Sequence, residues 1–291
     1  MEEQLSQIIL KNRPSISQSS IKTYVSILRT LYKKLAEKND DINFFINEKE
    51  KIIKFILEKN NNQSIKTSLS ALYVLTNDEQ YKTPMLEYAG KVNQAYKEQK
   101  TNPERKENMP TLDEIKSKYD LYKNNLVKNS TIENYILYFI VAVTCCVLFP
   151  PRRALDWTAM KLKNASKEDN YIDKNCFVFN KFKTAKFTKE EDKRLPVPDE
   201  LMKFIKKFKK ISDNDYFIYN PKTGKPYDSS QFSKILNKIF GPKIAVDTIR
   251  SIFLSNLYSG LPPIKELENI ATQMGQTGGV NTALSFYVKK D

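Results

Sequence analysis

At 291 residues and 40% hydrophobic content, the chain can build one large domain or two modest ones with proper cores. Its 48 basic side chains against 34 acidic ones leave a net charge of +14, which favours a polyanionic partner, DNA or RNA, through phosphate contact and counterion release. Histidine is absent, which excludes histidine acid–base chemistry, histidine-ligated metals and Ser-His-Asp triads.

The three cysteines, Cys145, Cys146 and Cys176, form neither a disulfide framework nor a zinc pattern, so a reducing, intracellular setting is expected. The N-terminus is polar and charged and shows no secretory signal. The longest apolar run, 138–151, is too short and interrupted to span a bilayer and reads as a buried helix, so no membrane partner is expected. Seven glycines provide no phosphate-binding loop, and neither ATP nor any other cofactor is implied.

In chain order, residues 1–98 read as helical. Segment 20–35 places Ile21, Tyr24, Leu28, Leu31 and Leu35 on one face, with Ser17, Ser19 and Ser20 as cap candidates. A short helix near 42–46 and apolar-periodic segments at 51–57 and 64–75 follow. Lys22 and Lys66 are candidate DNA contacts on these helices. Residues 99–110 are polar with two prolines, a linker signature. The second domain is expected over 111–291. Thr111-Leu-Asp-Glu114 has the spacing of a capping box and opens its first helix.

Helical patterns at 118–123 and 130–149 end at Pro150-Pro151. Segments 176–179 and 195–198 read as strands of a small antiparallel hairpin around a basic loop. Helices are expected at 199–210, 229–240, 247–258 (ended by Ser259-Gly260) and 264–274, with a last one starting near 279–281 and presenting Tyr287. The fold class is therefore mainly α, a helical N-terminal domain and a mostly helical second domain with a small antiparallel sheet.

Four elements carry candidate chemistry. Pro150-Pro-Arg-Arg-Ala-Leu-Asp-Trp157 puts arginines at a helix–turn corner, where a guanidinium can grip a phosphate through two bonds. Asn180-Lys-Phe-Lys-Thr-Ala-Lys186 puts lysines between the strands, where one can donate a proton to a leaving oxygen; Lys181 and Lys186 are also candidate DNA contacts. Arg250, in Val246-Asp-Thr-Ile-Arg-Ser-Ile-Phe253, lies on an apolar helix and needs an anionic partner, which an internal aspartate such as Asp156 would also supply. The fourth element is Tyr287, one of sixteen tyrosines.

Together these motifs resemble the tyrosine recombinase (integrase) family over nearly the full chain. Arg153-Ala-Leu-Asp156 matches the first arginine motif, with Arg152 as the fallback arginine and a DNA contact. Lys183 matches the hairpin lysine, with Lys186 as the alternative. Asp247-Thr-Ile-Arg250 matches the second arginine motif, with aspartate in place of the usual histidine. Met274-Gly275-Gln276 matches the glycine motif, with Gln276 where histidine or tryptophan is usual. Tyr287 matches the nucleophile. Arg250 follows Arg153 by 97 positions and Tyr287 follows Arg250 by 37, which suits the family.

The resemblance implies a core-binding DNA-clamp domain at 1–98 and a catalytic domain at 111–291. It implies catalytic Arg153, Lys183, Asp247, Arg250, Gln276 and Tyr287, and a 3′-phosphotyrosyl intermediate formed without metal or nucleotide. The implied partners are double-stranded DNA and further copies of the chain, four on paired sites. A type IB topoisomerase, with a related arginine–lysine–tyrosine site, and a non-catalytic DNA-binding protein of degenerate recombinase fold stay open. Abundant Lys, Asn and Ile point to an AT-rich genome, as of a virus or mobile element.

Overall fold

The computed structural model describes residues 1–37, 41–97, 109–259 and 264–276. The chain divides into two compact units, Met1–Glu98 and Gln99–Asp291. The first is helical throughout its described residues: α1 (Glu2–Asn12), α2 (Gln18–Leu35), α3 (Phe44–Asn47), α4 (Lys49–Leu57), α5 (Asn62–Thr76) and α6 (Glu79–Lys97). Ser17 caps α2 by accepting a bond from the Ser20 amide at 3.2 Å, as its position ahead of the apolar stripe predicts. The stripe turns inward, burying Ile21, Val25, Leu28 and Leu31 against Leu5 and Ile9 of α1 and the α5 face of Ile65, Leu69 and Leu72. Tyr81 is buried, and its hydroxyl donates to the Phe45 carbonyl at 2.7 Å, which satisfies the one polar atom it carries into the core.

The second unit opens with α7 (Leu112–Lys128), whose capping box closes in both directions: the Thr111 amide donates to Glu114 Oε2 at 2.7 Å and the Glu114 amide donates to Thr111 Oγ1 at 3.2 Å. The next helix, α8 (Ile132–Thr144), is buried on nearly every side. It stops five residues before the expected end at 149. Cys146 takes a φ of +65°, which a right-handed helix cannot continue. The chain then runs through Pro150-Pro151 into the short α9 (Ala154–Thr158).

A four-stranded sheet follows, β1 (Met160–Lys161), β2 (Asn170–Asp173), β3 (Cys176–Val178) and β4 (Arg194–Pro196), paired in sequence order. The sequence-expected hairpin is the β3–β4 pair, with Phe177 opposite Leu195. The sheet is mixed rather than purely antiparallel, because β1 pairs with β2 in parallel. β1 has only two residues and β2, Asn170-Tyr-Ile-Asp173, is polar at both ends, so neither shows the apolar run that marks β3. Pro196 is tolerated because β4 is an edge strand, and Pro198 lies beyond it as the N-cap residue of the next helix. Helices α10 (Asp199–Ile211), α11 (Ser229–Phe240), α12 (Val246–Ser259) and α13 (Ile264–Gln273) complete the described unit.

Trp157 anchors the core beneath the arginine motif, edge-on to Phe177 at 5.0 Å and to Phe179 at 5.2 Å between ring centroids. Its full burial ties α9 to β3 and so fixes where the residues just before it can point. No helix among the described residues is long and apolar enough to cross a membrane.

Cys145 and Cys146 are both buried at the end of α8, and burial pushes the Cys145 thiol up to about 12 and the Cys146 thiol higher still. Alkylation of the native protein at pH 8 is therefore expected to label half-exposed Cys176 well before the other two, with all three reacting in denaturant. Intact mass over time reads this directly; equal native rates would mean that the end of α8 opens readily.

Candidate active site

The arginine motif begins after α8 has ended, and Pro150 to Arg153 belong to no helix or strand. Arg153 is the N-cap residue of α9, with φ −67° and ψ 150°. Extended backbone sends neighbouring side chains in opposite directions, and the two arginines separate accordingly. Arg152 points inward and is 2% exposed. Its Nε donates to Asp156 Oδ2 at 3.1 Å, its Nη1 donates to the Gln273 carbonyl at 2.6 Å, and its guanidinium lies 3.9 Å from the Phe179 ring centre. Arg152, expected as the fallback arginine and a DNA contact, is in this structure an internal strut, held by an ion pair, a carbonyl and an aromatic face. Arg153 is half-buried and donates to the Gly275 carbonyl at 3.3 Å.

Those carbonyls belong to the end of α13, which closes in a Schellman motif. The Gln276 amide donates to the Ala271 carbonyl at 2.9 Å and the Gly275 amide to the Thr272 carbonyl at 2.8 Å, with Gly275 left-handed at φ +69°. A Cβ at Gly275 would also stand 3.0 Å from Arg152 Nη2. Gly275→Ala is expected to cost about 1–3 kcal/mol from backbone strain, with the Arg152 contact adding to it. Chemical denaturation tests this, and an unchanged midpoint would mean that the turn relaxes freely. Gln276 is buried, and its Nε2 has no hydrogen-bond partner among the described residues. A buried amide donor of that kind is costly unless something accepts from it.

Arg250 lies one turn into α12, fully buried, with Nη1 3.8 Å from Asp247 Oδ1; Asp247 itself is exposed. Asp156 is the internal anion of the cluster. Burial pushes its carboxyl up from the ordinary range, and the charges of Arg152, Arg153 and Arg250 all pull it back. Burial likewise pushes the Arg152 guanidinium down, with Asp156 opposing and Arg153 and Arg250 adding to the push. Arginine stays protonated in proteins, so the cluster is three cations around one buried carboxylate, with Asp247 at its edge. Asp156 Oδ1 has no hydrogen-bond partner among the described residues. The excess of guanidiniums over buried carboxylates, not that oxygen, is what suits the cluster to an added anion.

The basic loop between β3 and β4 reaches the same turn. Thr184 donates to the Gly275 carbonyl at 2.8 Å, so Gly275 accepts from the arginine motif and the loop together. Lys183, the preceding residue, is exposed. Lys181 is held elsewhere by Asp169, at 2.7 Å. The side chain of Lys186 and all of Tyr287 lie outside the described residues, as do the expected last helix, Gly260 and most of the 99–110 linker. In the first unit, Lys22 is exposed on α2 and Lys66 is half-buried on α5. Sequence reading did not single out Asn170 or Thr184, which join the loop to the arginine motif and the turn. Asn170 lies outside every motif and Thr184 is an uncharged member of the basic loop, so only the fold reveals their contacts. No three His, Cys, Asp or Glu side chains among the described residues gather in an arrangement that would hold a metal ion.

The second unit therefore brings together Arg153, Asp156 and Arg250, the Gly275–Gln276 turn and the loop that carries Lys183. No protein-family model matches the chain. No curated protein matches it either. Among solved structures, the "Crystal structure of XerA recombinase" aligns over 100% of this chain and 95% of its own, at a TM-score of 0.42 and 14% identity.

Proposed function

We propose that the chain cleaves and rejoins DNA at specific sites through a 3′-phosphotyrosyl intermediate, as a tyrosine recombinase does. The observation that carries this reading is that the charges of Arg153 and Arg250 converge on buried Asp156, while Arg153 and the lysine loop are both hydrogen-bonded to the Gly275 carbonyl. Residues more than ninety positions apart in the chain converge where cations outnumber carboxylates. A pentacoordinate phosphate carries growing negative charge on its non-bridging oxygens, and fixed guanidiniums in a dry site stabilise that charge without reorganising. The net charge of +14 serves the remainder of the duplex.

In this mechanism the Tyr287 oxygen attacks the scissile phosphorus, and the bond from phosphorus to the 5′ oxygen breaks. Lys183 gives that oxygen its proton, while Arg153 and Arg250 hold the non-bridging oxygens. Gln276 Nε2 donates a further hydrogen bond to the phosphate. Asp247, exposed beside Arg250, receives the tyrosine proton or orients its neighbour. The free 5′ hydroxyl of a partner strand then reverses the step, and the energy of the broken bond is kept in the phosphotyrosine. Lys22 and Lys66 of the first unit, with Lys181 and Lys186, contact the DNA backbone. Exchange between two duplexes engages four copies of the chain.

Covalent trapping tests this. Duplexes selected from a randomised library by binding to the full chain would be nicked, so that the cleaved end diffuses away, and incubated with protein without metal or ATP. A denaturation-resistant adduct is expected from the wild type and none from Tyr287→Phe. Tight binding with no adduct from the wild type would favour a DNA-binding protein without catalysis. Relaxation of supercoiled plasmid without site preference would favour a topoisomerase.

A further inference from the structure

Asn170 is fully buried at the start of β2, yet carries a polar amide. Burial of an amide is unfavourable unless every donor and acceptor is met. Here all four are met, and all by backbone. Oδ1 accepts from the amides of Asn180 at 2.8 Å and Lys181 at 2.6 Å. Nδ2 donates to the carbonyl of Lys181 at 2.9 Å and to that of Asp156 at 3.0 Å. One side chain thus ties the first residues of the basic loop to the last residue of the Arg153-Ala-Leu-Asp156 motif.

The loop is held again three residues later, where the Thr184 hydroxyl donates to the Gly275 carbonyl. Between these ties Phe182 packs on the core beside Arg152, whose guanidinium lies 5.2 Å from its ring centre. Lys181 and Lys183 are both exposed, and of the two it is Lys181 that Asp169 draws away.

We propose that Asn170 and Thr184 are positioning residues that clamp the loop at both ends and fix Lys183 relative to the arginines. This rests on the strand-cleavage reading above. Neither residue touches the reacting atoms; both act through the lysine. Loosening either tie leaves the arginines with the phosphate but lets the proton donor wander, so the loss falls on protonation of the leaving 5′ oxygen. A misplacement of about 1 Å in such a group costs on the order of 10²-fold.

The test uses the leaving group. Once the cleavage position is mapped, a nicked duplex is made with sulfur in place of the bridging 5′ oxygen at that phosphate. A thiolate departs without a proton, so cleavage of this duplex does not need the lysine. Asn170→Asp keeps the shape and the acceptor but removes the donor to the Asp156 and Lys181 carbonyls. Thr184→Val removes the hydroxyl at the other end. Both are expected to form adduct on the order of 10²-fold more slowly than wild type on the oxygen duplex and at close to the wild-type rate on the sulfur duplex, as Lys183→Ala also should.

The ratio between the two duplexes does not depend on how much of a variant is folded. Equal losses on both duplexes, or no loss on the oxygen duplex, would overturn the clamp. Should Asn170→Asp fail to fold, Thr184→Val decides by the same ratio. A wild type that forms adduct on neither duplex would overturn the strand-cleavage reading and the clamp with it. A wild type that cleaves both, with variants that lose both equally, overturns the clamp alone.

Discussion

Arg250→Lys is expected to slow adduct formation by about 10²–10³-fold, the usual cost of losing one fixed donor to a developing oxyanion, while binding to the same duplex weakens far less. The guanidinium presents two parallel donors to two phosphate oxygens, and an ammonium is a single point charge that cannot span them. Arg250 is also fully buried, where its longer planar head is less strongly hydrated than lysine's and so better suited to stay charged. Single-turnover trapping beside anisotropy titration separates the two effects. Equal adduct rates for Arg250→Lys and wild type would assign Arg250 to the internal ion-pair network alone and remove it from the proposed chemistry.

The second large effect is on stability. Asp156→Ala is expected to destabilise the second unit by about 3–5 kcal/mol, because it strands the buried Arg152 guanidinium without its anion. For a domain of this size that is on the order of 10 °C in melting temperature. The pair is 2% and 1% exposed on its two sides, so water cannot replace the lost partner. Replacing both together, Arg152→Met with Asp156→Leu, should restore much of the loss, since an apolar pair avoids the desolvation cost that the ion pair bears. A double-mutant cycle followed by thermal melting gives the coupling. If Asp156→Ala melts with wild type, the buried pair is not what holds α9 to the end of α13.

Much of the scaffold was readable from local pattern. The apolar stripe of α2 and its Ser17 cap, and the Thr111–Glu114 box that opens α7, depend on contacts within one or two turns, so the sequence spacing states them. The end of α8 was not readable in the same way. The apolar run continues past Thr144, and only the left-handed Cys146 stops the helix. Among the described site residues, the motif arginines and the Gly275 turn stand out by type and spacing. The roles of the two adjacent arginines do not, because Arg152 and Arg153 are the same side chain one position apart.

The sequence by itself determined a basic, mainly helical chain without histidine, helices bounded by recognisable caps, and two arginine motifs separated by a lysine-bearing loop. Such features follow from composition and from interactions between near neighbours. Tertiary structure decided that Arg152 turns inward to Asp156 while Arg153 reaches Gly275, that a parallel β1–β2 pair makes the sheet mixed, and that Asn170 and Thr184 join the loop to the arginines. These depend on which groups meet across up to 122 positions of chain. The burial that makes each contact necessary exists only once the core has closed around it.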